Sequence, residues 1–479
     1  MNDGAVEPPS ETSALVRAVP ALVAAAGLVA LAGAMLLAAQ SGLSVRESTT
    51  VTIGDRELVL VYTTPSLAMI GAGVLTAVAL VLLVHGLDAW AARRVTRPAR
   101  RARQVRERPL RAEVTSARPS GSVTVTALIP ACNEELHLPA TLESLRCQTR
   151  PPATVWVIAD NCMDATAEVA RAGGAEVYET VENSHRKAGG LNQLLARLLP
   201  AMGTLDVILV MDADTIMVED FLERAVAELE AAPELVAVGG VFFGDDTPGL
   251  LGALQRNEYR RYSRDIARRQ GRVFVLTGTA SLFRADALTA VAEHRGSTLP
   301  GTAGQVYDTI SLTEDNELTL ALKSLGAGML SPQHCRVRTE LMPTWRDLWH
   351  QRQRWQRGAL ENIGMYGVSS ATARYWAQQF GLGYGVISLF LYLAVTGLAW
   401  VALGVLTVVV FWFIVGLLFV VERVATVWAG GWRARLIAAV LLIELGYAIF
   451  LQAVYVKSLL DIATGRSKHW NAAVVKTRT

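Results

Sequence analysis

The sequence predicts an α/β domain with a mostly parallel sheet, combined with α-helical transmembrane segments. Three observations carry this expectation. Hydrophobic residues make up 52% of the 479 residues and mean hydropathy is +0.31, too apolar for an ordinary soluble enzyme. The apolar residues gather in blocks near both ends, whereas the middle, from about 115 to 370, has a normal soluble mixture. Within that middle, short apolar runs alternate with helical stretches, as in a parallel sheet covered on both faces.

Residues 1–15 are polar. Residues 16–92 are expected to hold two transmembrane helices, about Val16 to Ala39 and Leu67 to Ala91, each long enough to cross a bilayer. A cleaved signal peptide fits less well, because the first apolar core is too long and a second span follows. The loop 40–66 between them carries a β-like stretch, Glu57 to Thr63. An Arg-rich linker, 93–121, comes next, with nine arginines between Arg93 and Arg111 against the single Glu107. Beside a span, such a run marks the cytoplasmic side and contacts anionic lipid, so a lipid bilayer is the expected partner rather than nucleic acid. The amino terminus and the middle domain are therefore expected in the cytoplasm and the first hairpin outside.

The middle domain, 122–342, opens with a strand at 122–130 and a helix from Glu134 to Arg146. A strand at 154–159, a helix from Asp164 to Arg171 and the short strand AEVYET follow. A helix from Arg186 to Leu199 leads to VILVMDADT, Val207 to Thr215. The apolar part of this run suits a strand buried on both faces, and Asp212 and Asp214 fall where it leaves the sheet. Asp220 to Glu230 is helical, and LVAVGGVFF is expected as one further strand. The segment 343–366 is expected as an amphipathic interface helix, since Trp345 and Trp349 suit headgroup depth and its arginines suit phosphates.

Residues 380–456 are expected to form about three transmembrane helices. The apolar stretch from Gln379 to Val421, about 42 residues, is too long for one span. A cationic loop from Glu422 to Arg435 precedes the last span, near Leu436 to Val456. The basic tail, 457–479, carries Lys457, Arg466, Lys468, Lys476 and Arg478. Three spans put it outside and its charge favours inside, and the two indications stay opposed. Cys132, Cys147, Cys162 and Cys335 form no CxxC pair, which fits a reducing compartment and argues against zinc.

Polar residues recur where strands end, the pattern of a nucleotide site in an open α/β sheet. Pro130-Ala-Cys-Asn-Glu-Glu135 ends the first strand and Asp160-Asn-Cys-Met-Asp164 the second. Arg186-Lys-Ala-Gly-Gly190 opens a helix, and the aspartate pair ends its strand. No GxxxxGK[ST] loop is present, and Gly71-Ala-Gly73 lies in an apolar span, where close helix packing explains it. The phosphates would thus need a metal on Asp212 and Asp214, with Lys187. Alone, Asp-x-Asp is more often a turn or a helix cap, while Lys187 is equally a solvated lysine and Thr313-Glu-Asp315 equally a cap at a positive helix end. A carboxylate in a cleft is also what takes a proton from an attacking hydroxyl.

The order Asp160…Asp164, Lys187-Ala-Gly-Gly-Leu-Asn192, Asp212-Ala-Asp214, Thr313-Glu-Asp315, Gln351-x-x-Arg354-Trp355 resembles the family 2, membrane-integrated processive glycosyltransferases. That family includes cellulose, chitin, hyaluronan and poly-N-acetylglucosamine synthases. The resemblance covers about 122 to 365. It implies a nucleotide-sugar-binding, GT-A-like domain and an inverting, metal-dependent transferase acting on a nucleotide-sugar donor, usually UDP-linked, and a glycan acceptor. By position it makes Asp160 the uracil contact, Lys187 a phosphate contact, and Asp212 and Asp214 the diphosphate and Mg²⁺ or Mn²⁺ ligands. Asp315, beside Glu314, becomes the general base. Gln351, Arg354 and Trp355 become the lid over diphosphate and acceptor sugar, and Thr277-Gly278-Thr279 an acceptor-side loop. Two departures stand out: Asp160-Asn-Cys-Met-Asp164 replaces the commoner Asp-Asp-Gly-Ser, and the Thr277–Thr279 loop lacks a cysteine found there in some synthases.

The expected function is transfer of sugars onto a growing β-linked polysaccharide, coupled to export, by an integral protein of a bacterial cell membrane. Transfer of one sugar to a lipid carrier is the alternative, against which the Gln351–Trp355 motif argues. A transporter or scaffold with a degenerate nucleotide-binding domain would not need the Asp212/Asp214/Asp315 set. Accessory subunits are not specified by the sequence. Glu444, a carboxylate inside the last span, is a candidate for the polysaccharide path, with helix packing as the other reading.

Overall fold

In a computed structural model of the chain, the described residues are 122–403 and 419–466, the strands Arg46–Ile53 and Arg56–Thr63, the pair Val408–Val409, and single helical positions at 29, 32, 33, 68, 71 and 75. The spans expected at 16–39 and 67–91, the Arg-rich run at 93–111 and the tail beyond 466 fall outside the described residues, apart from those single positions. Two compact units are distinguished, 1–102 with 391–419, and 103–390 with 420–479. In the first, β1 (Arg46–Ile53) and β2 (Arg56–Thr63) form an antiparallel ladder from Arg46 opposite Thr63 to Ile53 opposite Arg56, and Val408–Val409 joins β2 in parallel.

The second unit holds the α/β domain. Its chain runs β3 (Thr124–Ala131), α1 (Leu138–Arg146), β4 (Thr154–Ala159), α2 (Thr166–Ala172), β5 (Glu176–Glu179), α3 (Arg186–Leu198) and β6 (Asp206–Met211). β7 (Ile216–Met217), α4 (Phe221–Ala231), β8 (Leu235–Gly239), β9 (Val241–Gly244) and α5 (Gly249–Arg268) follow. Then come β10 (Ala280–Arg284), α6 (Ala285–His294), α7 (Glu314–Ser324), β11 (Gly328–Leu330), β12 (Arg336–Thr339) and α8 (Trp345–Tyr366). The main sheet has seven strands in the order β11-β8-β10-β6-β3-β4-β5. β6, β3, β4 and β5 are mutually parallel, β11 is parallel to β8, and only β10 runs against its neighbours β6 and β8.

The apolar run before the aspartates sits near the middle of this sheet for a simple reason. Successive side chains of a strand point to opposite faces, so a strand covered on both sides must be apolar throughout. Val207, Leu209 and Met211 enter one layer with Leu138, Leu142, Phe221 and Val226, and Ile208 and Val210 enter the other with Leu191, Leu194 and Leu288. Helix α1 earns its place by the same arithmetic: Leu138, Leu142 and Leu145 recur at helical spacing and are all buried.

The stretch LVAVGGVFF is not one strand. It divides into β8, in the main sheet, and β9, which joins a second sheet of order β7-β12-β9. The division falls at Gly239-Gly240, where neighbouring side chains and main chain leave no room for a Cβ. A Cβ on Gly239 would lie 2.8 Å from Ser331 Oγ, and one on Gly240 would lie 3.0 Å from the Ala280 carbonyl oxygen. Gly240 N donates to that carbonyl at 2.8 Å, and the next amide, Val241, turns to Cys335 O at 2.7 Å.

Helix α7 is pinned from below by a buried ion pair. Arg295 and Glu317 side chains are both 0% exposed and meet in a fork, Nη1 to Oε1 at 2.5 Å and Nη2 to Oε2 at 2.7 Å. The guanidinium also donates to Pro300 O and Val306 O, and Tyr366 of α8 donates to Glu317. After α8, the helix α9 (Ala373–Leu403) begins in this unit, and α10 (Gly431–Ala439) and α11 (Leu441–Ala463) complete it. Two helical stretches, Ala373–Val395 and Leu441–Ala463, are long and apolar enough to cross a membrane. The segment expected as a loop up to Arg435 instead enters α10, and the apolar helix after it starts at Leu441 because Val440 breaks the chain direction with ψ 90°. Glu444 does not stand alone in α11: it is 6% exposed and meets Arg261 of α5 at 2.5 Å, which favours the helix-packing reading.

Removing one member of the Arg295–Glu317 pair leaves an uncompensated buried charge. Glu317→Ala is expected to cost about 3–5 kcal/mol, whereas the double replacement Arg295→Met with Glu317→Leu recovers most of it. Thermal unfolding of the detergent-purified chain checks both. Equal midpoints for Glu317→Ala and the unchanged protein would show that the pair does not anchor α7.

Candidate active site

The site forms where β6, α3, α7 and the loop before β10 come together. β6 delivers Asp212 past the edge of the sheet, and Asp212 N is held by Thr279 O at 3.3 Å. Lys187, in the first turn of α3, reaches across to place Nζ 2.6 Å from Asp212 Oδ1 and 3.1 Å from Glu314 Oε1. Glu314 and Asp315 open α7, where the free N–H groups and the positive end of the helix favour anions. Asp315 Oδ1 accepts Asn316 N at 2.7 Å, and its Oδ2 accepts Gly278 N at 3.1 Å. Gly278 is needed for this approach. A Cβ there would lie 3.0 Å from Lys187 Nζ, 3.6 Å from Asp212 Oδ2 and 3.7 Å from Asp315 Oδ2. The flanking threonines brace the loop, Thr277 and Thr279 hydroxyls meeting at 2.8 Å.

The electrostatics follow from this packing. Burial works against the charge on Lys187, but Asp212 and Glu314 outweigh it and hold the ammonium firmly protonated. Burial raises Glu314, yet Lys187 and Arg354 overcome that and keep its carboxyl below the usual range. Asp315 gains less. Burial, then the neighbouring Glu314, push it up to about 6. Asp214 is pushed up to about 7, by burial first and then by Asp212, Glu134 and Glu340. Its carboxylate accepts the Thr215 hydroxyl at 3.3 Å, and nearby acids rather than cations dominate its surroundings.

Asp160 ends β4, two strands from β6, roughly 10 Å away along the sheet edge. Its Oδ1 is filled by three donors: Thr180 Oγ1 at 2.8 Å, Asn183 Nδ2 at 2.7 Å and Asn161 Nδ2 at 3.0 Å. Asn183 also donates to Arg186 O and accepts His185 N, so it joins Asp160 to the start of the helix that carries Lys187. Asp164 is spent on structure, accepting Thr166 N and Glu135 N.

Gln351, Arg354 and Trp355 all lie on α8, which docks on the start of α7. Gly358 permits the contact, since a Cβ there would fall 2.4 Å from Thr313 Oγ1. The fully buried Asn362 donates to Thr313 O at 3.2 Å and to Asn316 Oδ1 at 3.2 Å. This crossing brings Arg354 close enough to act on Glu314. Lys187, Asp212, Gly278, Glu314 and Asp315 are thus gathered at one point. Asp214 lies apart from that point, with acids the strongest charges acting on it, and Asp160 follows β4, two strands along the sheet from Asp212. The sequence reading missed Asn183, Glu340, Asn362 and Arg352, the last inside a motif it had singled out. None carries a local pattern that separates it from a solvated polar residue.

Residues 122–358 match the family model described as "Glycosyltransferase like family 2". The poly-beta-1,6-N-acetyl-D-glucosamine synthase of Staphylococcus aureus is 25% identical over 243 residues, covering 50% of this chain and 55% of that protein. Its Staphylococcus epidermidis counterpart is 24% identical over 250 residues with the same coverage. The chain thus spans about half the length of the curated relatives it matches. Among solved structures, the mannosyltransferase PcManGT of Pyrobaculum calidifontis, in complex with GDP-Man and Mn²⁺, is 17% identical, with a TM-score of 0.48 over 82% of this chain and 99% of that one. The glucosyl-3-phosphoglycerate synthase of Mycobacterium tuberculosis, in complex with Mn²⁺, UDP and phosphoglyceric acid, is 20% identical, with a TM-score of 0.34 over 53% of this chain and 87% of that one.

Lys187 is 24% exposed, so solvent screens part of its pairing. Lys187→Met is expected to lower stability by about 1–3 kcal/mol near neutral pH, by leaving Asp212 and Glu314 unmatched. Glu314 has its carboxyl depressed in the folded state, so the stability it contributes is present at neutral pH and lost on acidification below the carboxylate range. The gap between Lys187→Met and the unchanged protein should therefore narrow below about pH 4. Unfolding curves at several pH values test this, and a gap that widens on acidification would contradict the assignment.

Proposed function

Residues 122–358 are a family 2 glycosyltransferase domain, and from that premise we propose that the protein is a membrane-embedded inverting transferase. It moves sugars from a UDP-linked donor onto a growing β-linked polysaccharide. The observation that carries the reading is the convergence of Lys187, Asp212, Glu314, Asp315 and the Gly278 amide at the edge of the sheet. A binding module has no need of a carboxylate poised near neutrality beside a fixed cation.

Asp315 takes the proton from the acceptor hydroxyl as that oxygen bonds to C1 of the donor sugar. The bond from C1 to the diphosphate oxygen breaks, the electron pair leaves with UDP, and the single displacement inverts C1. Lys187 and Arg354 stabilise the charge that builds on the leaving diphosphate. Asp160, its Oδ1 already filled, keeps Oδ2 to accept the N–H of the uracil ring. Trp355 offers an indole face to the acceptor sugar and Gln351 an amide to its hydroxyls. Asp212 and Asp214 are hard oxygen donors suited to Mg²⁺ or Mn²⁺, and the charge on Asp214 is unmatched without a cation. Such an ion neutralises the diphosphate when bound. Among the described residues no group of three or more His, Cys, Asp or Glu side chains that could hold an ion is found, so Asp212 and Asp214 are the two residues that would hold it.

On this reading the catalytic domain faces the cytoplasm, where UDP-sugars are made, and Ala373–Val395 and Leu441–Ala463, long and apolar enough to cross a membrane, are the candidate membrane segments. The names of the staphylococcal relatives make UDP-N-acetylglucosamine the first donor to test.

Membranes carrying the chain are expected to release UDP from one of a panel of UDP-sugars when Mg²⁺ or Mn²⁺ is present, and to stop on chelation. Asp315→Asn should lower the rate by about 10²–10⁴-fold. With Asp315 near 6, the rate should be level above that pH and fall about tenfold per unit below it, as protonation removes the base. No UDP from any donor would overturn the enzyme reading. A product holding one sugar on a lipid would replace polymer synthesis by transfer to a lipid carrier.

A further inference from the structure

Arg352 lies between Gln351 and Arg354 and has no part in the reaction described above, yet it is one of the most enclosed charges in the domain, at 3% exposure. Its guanidinium makes contacts in three directions. Nη2 pairs with Glu258 of α5 at 3.0 Å, Nη1 donates to Gln351 Oε1 at 3.2 Å, and the charge lies over the Trp355 ring, 4.2 Å from its centroid. The ring of Tyr259 stands 5.8 Å away on another side. Glu258 is shared, because the Tyr447 hydroxyl of α11 donates to the same Oε2 at 2.5 Å. Three residues before Tyr447, Glu444 holds Arg261 of the same helix α5. A polar junction of α5, α8 and α11 therefore lies directly beneath Gln351 and Trp355.

A guanidinium over an indole fixes the ring and leaves its opposite face for a ligand. A planar fork that also binds a carboxylate cannot be replaced by a lysine without loss of geometry. We propose that Arg352 is a positioning residue for the acceptor: it clamps Gln351 and Trp355 and ties them, through Glu258 and Tyr447, to the apolar helix α11. The inference rests on the reading of Trp355 and Gln351 as acceptor contacts. It goes further in naming the residue that holds them and in making a candidate membrane helix set the height of the acceptor platform. Glu258, held by both Arg352 and Tyr447, then acts on the platform through Arg352.

The test compares Arg352→Met, Arg352→Lys and Tyr447→Phe in the full chain reconstituted in lipid nanodiscs. Arg352→Met is expected to raise the acceptor-oligosaccharide KM about tenfold or more while the donor KM moves less than threefold. Arg352→Lys should recover part of that loss, and Tyr447→Phe should shift the acceptor KM about threefold in the same direction. Hydrogen exchange gives a second measurement independent of turnover. Amides of 351–356 should exchange at least tenfold faster in Arg352→Met, with those of 314–324 unchanged. An acceptor KM that holds while kcat falls, or exchange that rises equally in both segments, would overturn the proposal and leave Arg352 a general packing residue. If the unchanged protein transfers no sugar, the enzymatic reading fails, and the exchange pattern alone still decides whether Arg352 clamps the platform.

Discussion

One lysine makes the site possible. Asp212 comes from the end of a central strand and Glu314 from the start of a helix about a hundred residues later, and both are anions in a partly dry cleft. Brought together alone they would repel each other. Lys187 stands between them at 2.6 and 3.1 Å, so the two segments can close on a common point. The remaining acids then divide by what surrounds them. Glu314, next to the cation, stays ionised, while Asp315 is left with burial and a neighbouring negative charge and moves towards neutrality. Two adjacent carboxylates thus acquire different chemistry from their surroundings alone.

The second constraint is steric. Glycines stand where the site's elements approach each other most closely. Gly278 lets a backbone amide reach Asp315, Gly358 lets α8 settle on Thr313, and Gly239-Gly240 lets the chain pass from one sheet to another. Behind these contacts the fold supplies rigid support: the Arg295–Glu317 fork under α7, and Asn362 joining α7 to α8. The clustered side chains therefore sit on elements that cannot shift independently.

Much of the fold was legible in the sequence because burial on both faces leaves a plain mark. The run Val207–Met211 is apolar at every position, and the βα alternation around it gave β3, β4, β5 and β6 within a residue or two. Antiparallel β10 left no comparable mark. Its five residues, Ala-Ser-Leu-Phe-Arg, are all buried although two are polar, because Arg284 donates to Leu235 O and Leu229 O and Ser281 to Thr277 O. Only tertiary partners make such a segment a strand. The single strand expected over LVAVGGVFF failed for a related reason, since the glycine pair reads locally as permissive and is in fact a crossing point.

The candidate site divides along the same line. Residues that face the cleft stood in order along the chain and could be read from their company: Lys187, Asp212, Glu314, Asp315. Those that hold them could not. Asn183 is one Asn among loop residues, and its function exists only through Asp160 and Arg186. Arg352 looks like one more cation on a basic amphipathic helix, yet it is enclosed and Arg354, two positions on, acts on Glu314. Two residues along a helix lie about 200° apart around its axis. The helix therefore turns one arginine towards the donor carboxylates and the other into the junction with α5 and α11. A single five-residue motif thereby places one cation against Glu314 and buries the other against Glu258, Gln351 and Trp355.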